Sequence, residues 1–149
     1  MAVSARARGW AAILLAAYGL LATAVLLAPR PYDRGLTPWI RWLVAAVQRE
    51  GRLPSWFDYE FVEYASHTLL FIPIGILAVV AVGRRLAWVA VLAALVFGAA
   101  IEYAPLLVQR DHVTSGLDLA LNELGVLVGA AIGYWAFEPS PAAQPTDRA

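Results

Sequence analysis

Four apolar runs, each about as long as a bilayer's hydrocarbon core is thick, dictate what this chain can become. They cover residues 10–28, 61–82, 86–107 and 117–137. Coiled as a helix, the first run spans about 28 Å, close to the roughly 30 Å of hydrocarbon that a spanning helix must cross. In lipid every backbone N–H and C=O must be satisfied within the fold, which leaves helices or closed barrels. Runs of this length select helices. The expectation is an all-α membrane protein with four transmembrane helices and one interfacial amphipathic helix between the first two. Arg6 and Arg8 precede the first run, and Pro29 follows Ala28, its only well-placed small residue. Those flanks favour an uncleaved first span over a signal peptide.

Composition agrees. Hydrophobic residues make up 61% of the 149 and charged residues 15%, against about half and about a quarter in soluble domains. The length fits one bundle, read as residues 10–138. A basic segment, 1–9, precedes it, and a Pro/Ala-rich polar tail, 139–149, follows and is expected to be disordered. The absence of cysteine excludes disulfides and thiolate chemistry. Eleven basic residues, all arginine, balance eleven acidic ones. No basic stripe points to nucleic acid. Arginine in place of lysine, with abundant alanine, fits a high-GC bacterial gene.

Between the first two runs, Pro29, Pro31, Gly35, Pro38 and Pro54 punctuate a charged segment. Thr37 reads as the cap of a short helix with Pro38 at its first position. Trp39, Leu43, Ala46 and Val47 share one face of it. Trp39, Trp42 and Trp56 suit a membrane interface. The basic amino terminus and the tight Gly83-Arg84-Arg85 turn favour both termini in the cytoplasm. In either orientation, an up-down-up-down path brings together the start of span two, the end of span three and the start of span four.

Polar residues concentrate at that shared end. Ionisable groups in apolar spans cost roughly 2.5–3.5 kcal/mol each on insertion scales and tend to face the bundle interior. Glu63 and His67 are four apart, hence on one helix face, and can act as a proton-transfer pair or as ligands. Glu102 lies inside span three, one turn after Gly98, which permits close helix approach. An isolated carboxylate there needs a partner, with Asn122 a candidate. Ser115 to Asp118 has the form of a capping box with Asp in place of Glu. Asn122 lies a turn deeper on the same face. Gly125, Gly129 and Gly133 continue it as a stripe for helix packing, within the chain or between copies. Glu123 points about 100° away, toward a headgroup or a different helix. Arg110 and His112, in the link between spans three and four, can neutralise a carboxylate or bind a phosphate. No strong catalytic motif is present, and the catalytic residues, if any, are unassigned. Ser66 points off the polar face.

Three stretches together resemble the VanZ-like family of small bacterial membrane proteins. They are 63–75, with Glu63, His67, Phe71 and Gly75; Ile101-Glu102; and 117–129, with Asp118, Asn122, Gly125 and Gly129. The resemblance covers residues 60–137, and the Asp-to-Gly pattern of the last stretch is its most specific part. Two departures stand out: Pro105 occupies a position where family members often carry Gln, and His112 stands where their loop Arg lies, with Arg110 two residues earlier. The family is named for a member linked to resistance against teicoplanin-type glycopeptides, so the resemblance implies a role in the cell envelope.

Three functional readings follow. The first is a non-enzymatic envelope protein of the bacterial cytoplasmic membrane. Its outward polar pocket would bind a membrane lipid headgroup, a cell-wall precursor or a glycopeptide antibiotic. Glu63, His67, Glu102, Arg110, His112, Asp118 and Asn122 would shape that pocket. The second is a hydrolase or transferase on an envelope lipid, using His67, Glu102 and Asp118 as acid and base or as ligands for a divalent metal. No cofactor is required by the first reading. The third is an oligomeric proton-coupled transporter with Glu102 as carrier.

Overall fold

The computed structural model describes residues 4–27, 36–108 and 115–136. Among them lie five α-helices and no strand. These are α1 (Ala5–Leu27), α2 (Leu36–Arg49), α3 (Tyr59–Val82), α4 (Ala87–Val108) and α5 (Gly116–Ala136); a 3-10 turn, Arg84–Leu86, joins α3 to α4. Four helices are long and apolar enough to cross a membrane: α1, α3, α4 and α5. The chain is an all-α, multi-pass membrane-type fold.

Caps, more than hydropathy, set the helix limits. The Ser4 hydroxyl accepts from the Ala7 N–H at 3.2 Å, so α1 starts at Ala5 and carries Arg6 and Arg8 within it. Asp58 caps α3, its carboxylate accepting from the Phe61 N–H at 2.9 Å. That helix therefore begins two residues before the apolar run, with Glu60 in its first turn suiting the helix dipole. α2 starts at Leu36, so Thr37 lies inside the helix rather than capping it, and Pro38 is its third residue. Proline is tolerated there because first-turn N–H groups have no acceptor within the helix. α3 stops at Gly83, whose φ of +79° suits glycine alone, and whose N–H closes on the Val79 carbonyl at 2.8 Å.

The helices alternate in direction. Arg8 of α1 covers Gly83 at the end of α3: a Cβ there would lie 2.9 Å from its guanidinium. Farther along, the Tyr18 hydroxyl donates to the Leu70 carbonyl at 3.0 Å. Arg84 lies 3.9 Å above the ring centre of Tyr134, near the end of α5. One end of the bundle thus gathers the start of α1, the α3–α4 turn and the end of α5. The other gathers the start of α3, the end of α4 and the start of α5.

Glycines set the tightest contact, between α3 and α5. A Cβ on Gly125 would strike the Thr68 carbonyl oxygen, and one on Gly129 the Ile72 carbonyl oxygen. At Gly133 it would lie 3.0 Å from the Ile76 carbonyl oxygen. From the other side, a Cβ on Gly75 would strike the Val126 carbonyl oxygen. The contacts step forward by four residues on both helices, so α3 and α5 run parallel with their i±4 ridges meeting. Close backbone approach of this kind replaces the hydrophobic drive that lipid removes and puts Cα–H groups against carbonyls. Phe71 and Val126, both fully buried, pack beside it with Ala22, Ile74 and Ala94. The stripe of Gly125, Gly129 and Gly133 is therefore filled by α3 of the same chain and is not a free face for a second copy.

Pro73 lies inside α3, where its missing N–H deprives the Leu69 carbonyl of its usual donor. Tyr18 reaches α3 one residue later, at Leu70. Tyr18→Phe is expected to lower stability by about 0.5–1.5 kcal/mol, the worth of one such hydrogen bond, read from thermal unfolding in detergent. An unchanged midpoint would mean that this bond does not hold α1 to α3.

α2 touches the bundle lightly, turning Val44 inward. Trp39 and Trp42 stay more than half exposed. The Gln48 amide donates to the carbonyls of Pro54 at 3.3 Å, Ser55 at 3.4 Å and Phe57 at 3.1 Å, which folds the following loop back on the helix. Trp56, Phe57 and Phe61 cluster there. Exposed aromatics with Arg41 stacked 4.4 Å from the Tyr59 ring centre have the chemistry of a membrane interface.

Candidate functional site: the polar end of the bundle

Three helices supply this site: His67 from α3, Glu102 from α4, and Ser115, Asp118, Asn122 and Glu123 from the start of α5 and the residue before it. They lie at one end of the bundle, and pair off there, because the glycine contact holds α5 against α3 while α4 ends beside the start of α5.

His67 and Asn122 form its centre. The His67 Nδ1 lies 3.1 Å from the Asn122 Oδ1. An amide oxygen only accepts, so Nδ1 carries the hydrogen in this pair, and in the neutral ring Nε2 is then the nitrogen with the lone pair. Asn122 is 1% exposed, and its Nδ2 has no hydrogen-bond partner among the described residues. An orphaned buried donor of this kind costs about 1–3 kcal/mol.

Glu102 serves the start of α5. Its Oε1 accepts from the Ser115 N–H at 3.3 Å, and the Ser115 hydroxyl accepts from the Asp118 N–H at 3.3 Å. The capping box is therefore completed from another helix. In place of Asp118, whose side chain is one methylene shorter than the usual Glu, Glu102 takes the reciprocal bond. Its carboxylate also faces the positive end of the α5 dipole. Glu102 is thus tied to Ser115, and the amide oxygen of Asn122 goes to His67.

The remaining sequence candidates fall differently. Glu63 is exposed on α3 and does not join His67. Ser66 turns its hydroxyl back to the Glu63 carbonyl at 2.6 Å. Asp118 is half-buried. Among the described residues no three His, Asp or Glu side chains gather as a metal-holding group. His67, Glu102 and Asp118 thus do not converge, since the first two are turned onto Asn122 and Ser115. Arg110 and His112 lie outside the described residues.

Glu123 is the residue that sequence reasoning undervalued. It takes the second of its two expected destinations, a different helix. Its Oε1 lies 3.0 Å from where a Cβ of Gly98 would be, with the Phe71 ring 3.4 Å from the same point. Gly98 thus makes room for a carboxylate rather than for a backbone. Gly98 is the twelfth of the twenty-two residues of α4, so Glu123 reaches the middle of that helix. Its Oε2 is buried without a partner among the described residues. Comparison with family models, with curated proteins and with solved structures finds no match to this chain. The site offers one oriented imidazole, one orphaned amide donor and one orphaned carboxylate oxygen, walled by apolar helices.

Proposed function

We propose that this chain is a VanZ-like protein of the bacterial cell envelope, resident in the cytoplasmic membrane with both termini in the cytoplasm. Its polar end, on the outer side, binds the headgroup of an amphiphile: an envelope lipid, a cell-wall precursor or a teicoplanin-type glycopeptide. The buried Asn122 carries this reading. A side chain 1% exposed, orienting His67 with its oxygen while its Nδ2 is unpartnered among the described residues, is arranged to donate to a group that arrives from outside. A buried amide donor needs a partner, and a headgroup arriving from outside supplies one. The orientation rests on the basic amino terminus and the tight Arg84-Arg85 turn, which abut the spans, and not on the raw count, since Arg41, Arg49 and Arg52 lie toward the polar end. Arg6, Arg8, Arg84 and Arg85 share the opposite end, and short arginine-rich ends stay in the cytoplasm.

The test is teicoplanin susceptibility in a sensitive Gram-positive host carrying empty vector, wild type or His67→Ala at matched membrane levels. Wild type is expected to raise the inhibitory concentration, and His67→Ala to return it to the vector value. Equal protection by both proteins would remove His67 from the site. No protection from well-expressed wild type would detach the chain from glycopeptides.

A further inference from the structure

The end of the bundle away from His67 carries its own feature. α1 leans on α3 and barely touches α4. The gap is a cleft of about 570 Å³ lined by Leu15, Gly19, Val82, Ala90 and Phe97 among other residues. Its walls are apolar; the Thr23 hydroxyl, the polar group among the lining side chains, is satisfied by the Gly19 carbonyl at 2.8 Å. Phe97 packs toward Gly19 at the inner end of the cleft, where a Cβ would lie 3.6 Å from its ring. Val82, at the other end, immediately precedes Gly83, the residue that Arg8 covers. Arg8 lies seven residues before Leu15, hence on the same face of α1. The guanidinium therefore stands at the mouth of the cleft.

Among the described residues, acidic charge is kept away from that mouth. Arg6, Arg8, Arg84 and Arg85 lie at this end. The described acidic residues (Glu50, Asp58, Glu60, Glu63, Glu102, Asp118 and Glu123) lie toward the other end or, for Glu123, near the middle. Arg8 has no acidic partner among the described residues; their one ion pair joins Arg52 to Glu50. A fixed cation above an apolar slot in the hydrocarbon complements one molecule of the bilayer itself, a phospholipid with net negative charge.

We propose that this cleft seats an acyl chain of an anionic phospholipid whose phosphate pairs with Arg8. The site is independent of the polar end, at the opposite face of the membrane, so its failure would leave the headgroup reading untouched. Basic pockets between helices on the cytoplasmic side take lipids of this class.

The experiment is native mass spectrometry of the full chain released from detergent. The probe lipids are phosphatidylglycerol and phosphatidylcholine with identical acyl chains. Wild type is expected to retain one phosphatidylglycerol in clear preference to phosphatidylcholine. Arg8→Gln is expected to cut that preference about fivefold, the equivalent of about 1 kcal/mol for one basic residue at the surface. Arg8→Lys keeps the charge and should keep most of the preference. Ala93→Phe places a ring in the cleft from an exposed position on α4 and should reduce retention of both lipids. Circular dichroism melts would verify that each variant is folded. Equal retention of the two lipids by wild type would overturn the proposal. So would an Arg8→Gln protein that keeps its preference. If wild type appears as a dimer in the same spectra and a folded Ala93→Phe variant is monomeric while retaining lipid, the cleft belongs to a second copy and the proposal falls.

Discussion

Gly129→Leu is expected to abolish the folded protein. The position leaves no direction in which a side chain can yield. A Cβ there strikes the Ile72 carbonyl oxygen and comes within 3.1 Å of the Ile72 Cα, both backbone atoms of a packed helix. Overpacking a well-filled core costs about 1–3 kcal/mol when flexible side chains can shift. Here α3 would have to leave α5, opening the contact that also holds Gly75, Gly125 and Gly133. The whole interface is at stake, and in lipid no hydrophobic term favours re-forming it elsewhere. Even Gly129→Ala should be strongly destabilised. Gly9→Ala is the control: Gly9 lies in α1 with nothing within 4 Å of its would-be Cβ. There alanine should be neutral or gain up to about 1 kcal/mol of helix propensity. Membrane-fraction yield and thermal unfolding in detergent read both. A Gly129→Leu protein that melts like wild type would show that α3 and α5 do not meet at residues 72 and 129.

That interface was half legible in the sequence. The four-residue spacing of Gly125, Gly129 and Gly133 announces a packing face, and the four spans follow from run length alone. The partner of the face does not. Periodicity gives the side of a helix that packs, and nothing in one chain's pattern distinguishes a neighbour in the same bundle from a second copy. The polar end shows the same division. That His67, Glu102, Asp118 and Asn122 would lie near one another follows from alternating helix directions. Their pairing depends on rotations of α3, α4 and α5 about their own axes, which the glycine contact fixes. Hence Glu102 went to the Ser115 N–H rather than to Asn122, and Glu63, though one turn from His67, stayed exposed. Glu123 was readable only through Gly98. A glycine in mid-span had two meanings, close backbone approach or room for a side chain, and the structure selects the second. The starts of α1 and α3 extend past their apolar runs because Ser4 and Asp58 can cap helices whose first turns are polar.

Asn122→Leu is expected to leave the fold nearly intact while disabling the site. Two effects oppose each other in stability. Replacing the amide by an apolar side chain of similar size removes the orphaned Nδ2, relieving about 1–3 kcal/mol. It also deprives the His67 Nδ1–H of its acceptor, and interhelical side-chain bonds in bilayers are worth about 0.6 kcal/mol on average, with 1.7 near the upper limit. Any leftover desolvation of the Nδ1–H is softened because His67 is only half-buried. The net change should be small and can have either sign. The imidazole responds more sharply. With Asn122 present, its oxygen holds the hydrogen on Nδ1 and directs the Nε2 lone pair to the site; with leucine, nothing selects that tautomer or ring orientation. The chain has two histidines, His67 and His112, so nitrogen NMR of histidine-labelled protein is readily assigned with His112→Ala as reference. Wild type should show a protonated Nδ1 and an unprotonated Nε2 at His67 in the neutral ring. Asn122→Leu should show a mixture or the reverse. If the headgroup reading holds, the same variant should lose glycopeptide protection as fully as His67→Ala does, at matched membrane levels. A folded Asn122→Leu protein with the wild-type His67 spectrum would mean that Asn122 does not orient the ring. Loss of protection would then have to be traced to the amide donor itself, and Asn122→Asp, which keeps an acceptor for Nδ1–H but removes the donor, separates the two. If the Asn122→Asp spectrum stays wild-type, so that the added carboxylate has not recharged the ring, and protection falls, the ring's orientation is not what the ligand lacks; protection kept by Asn122→Asp would show that the Nδ2 donor is not needed.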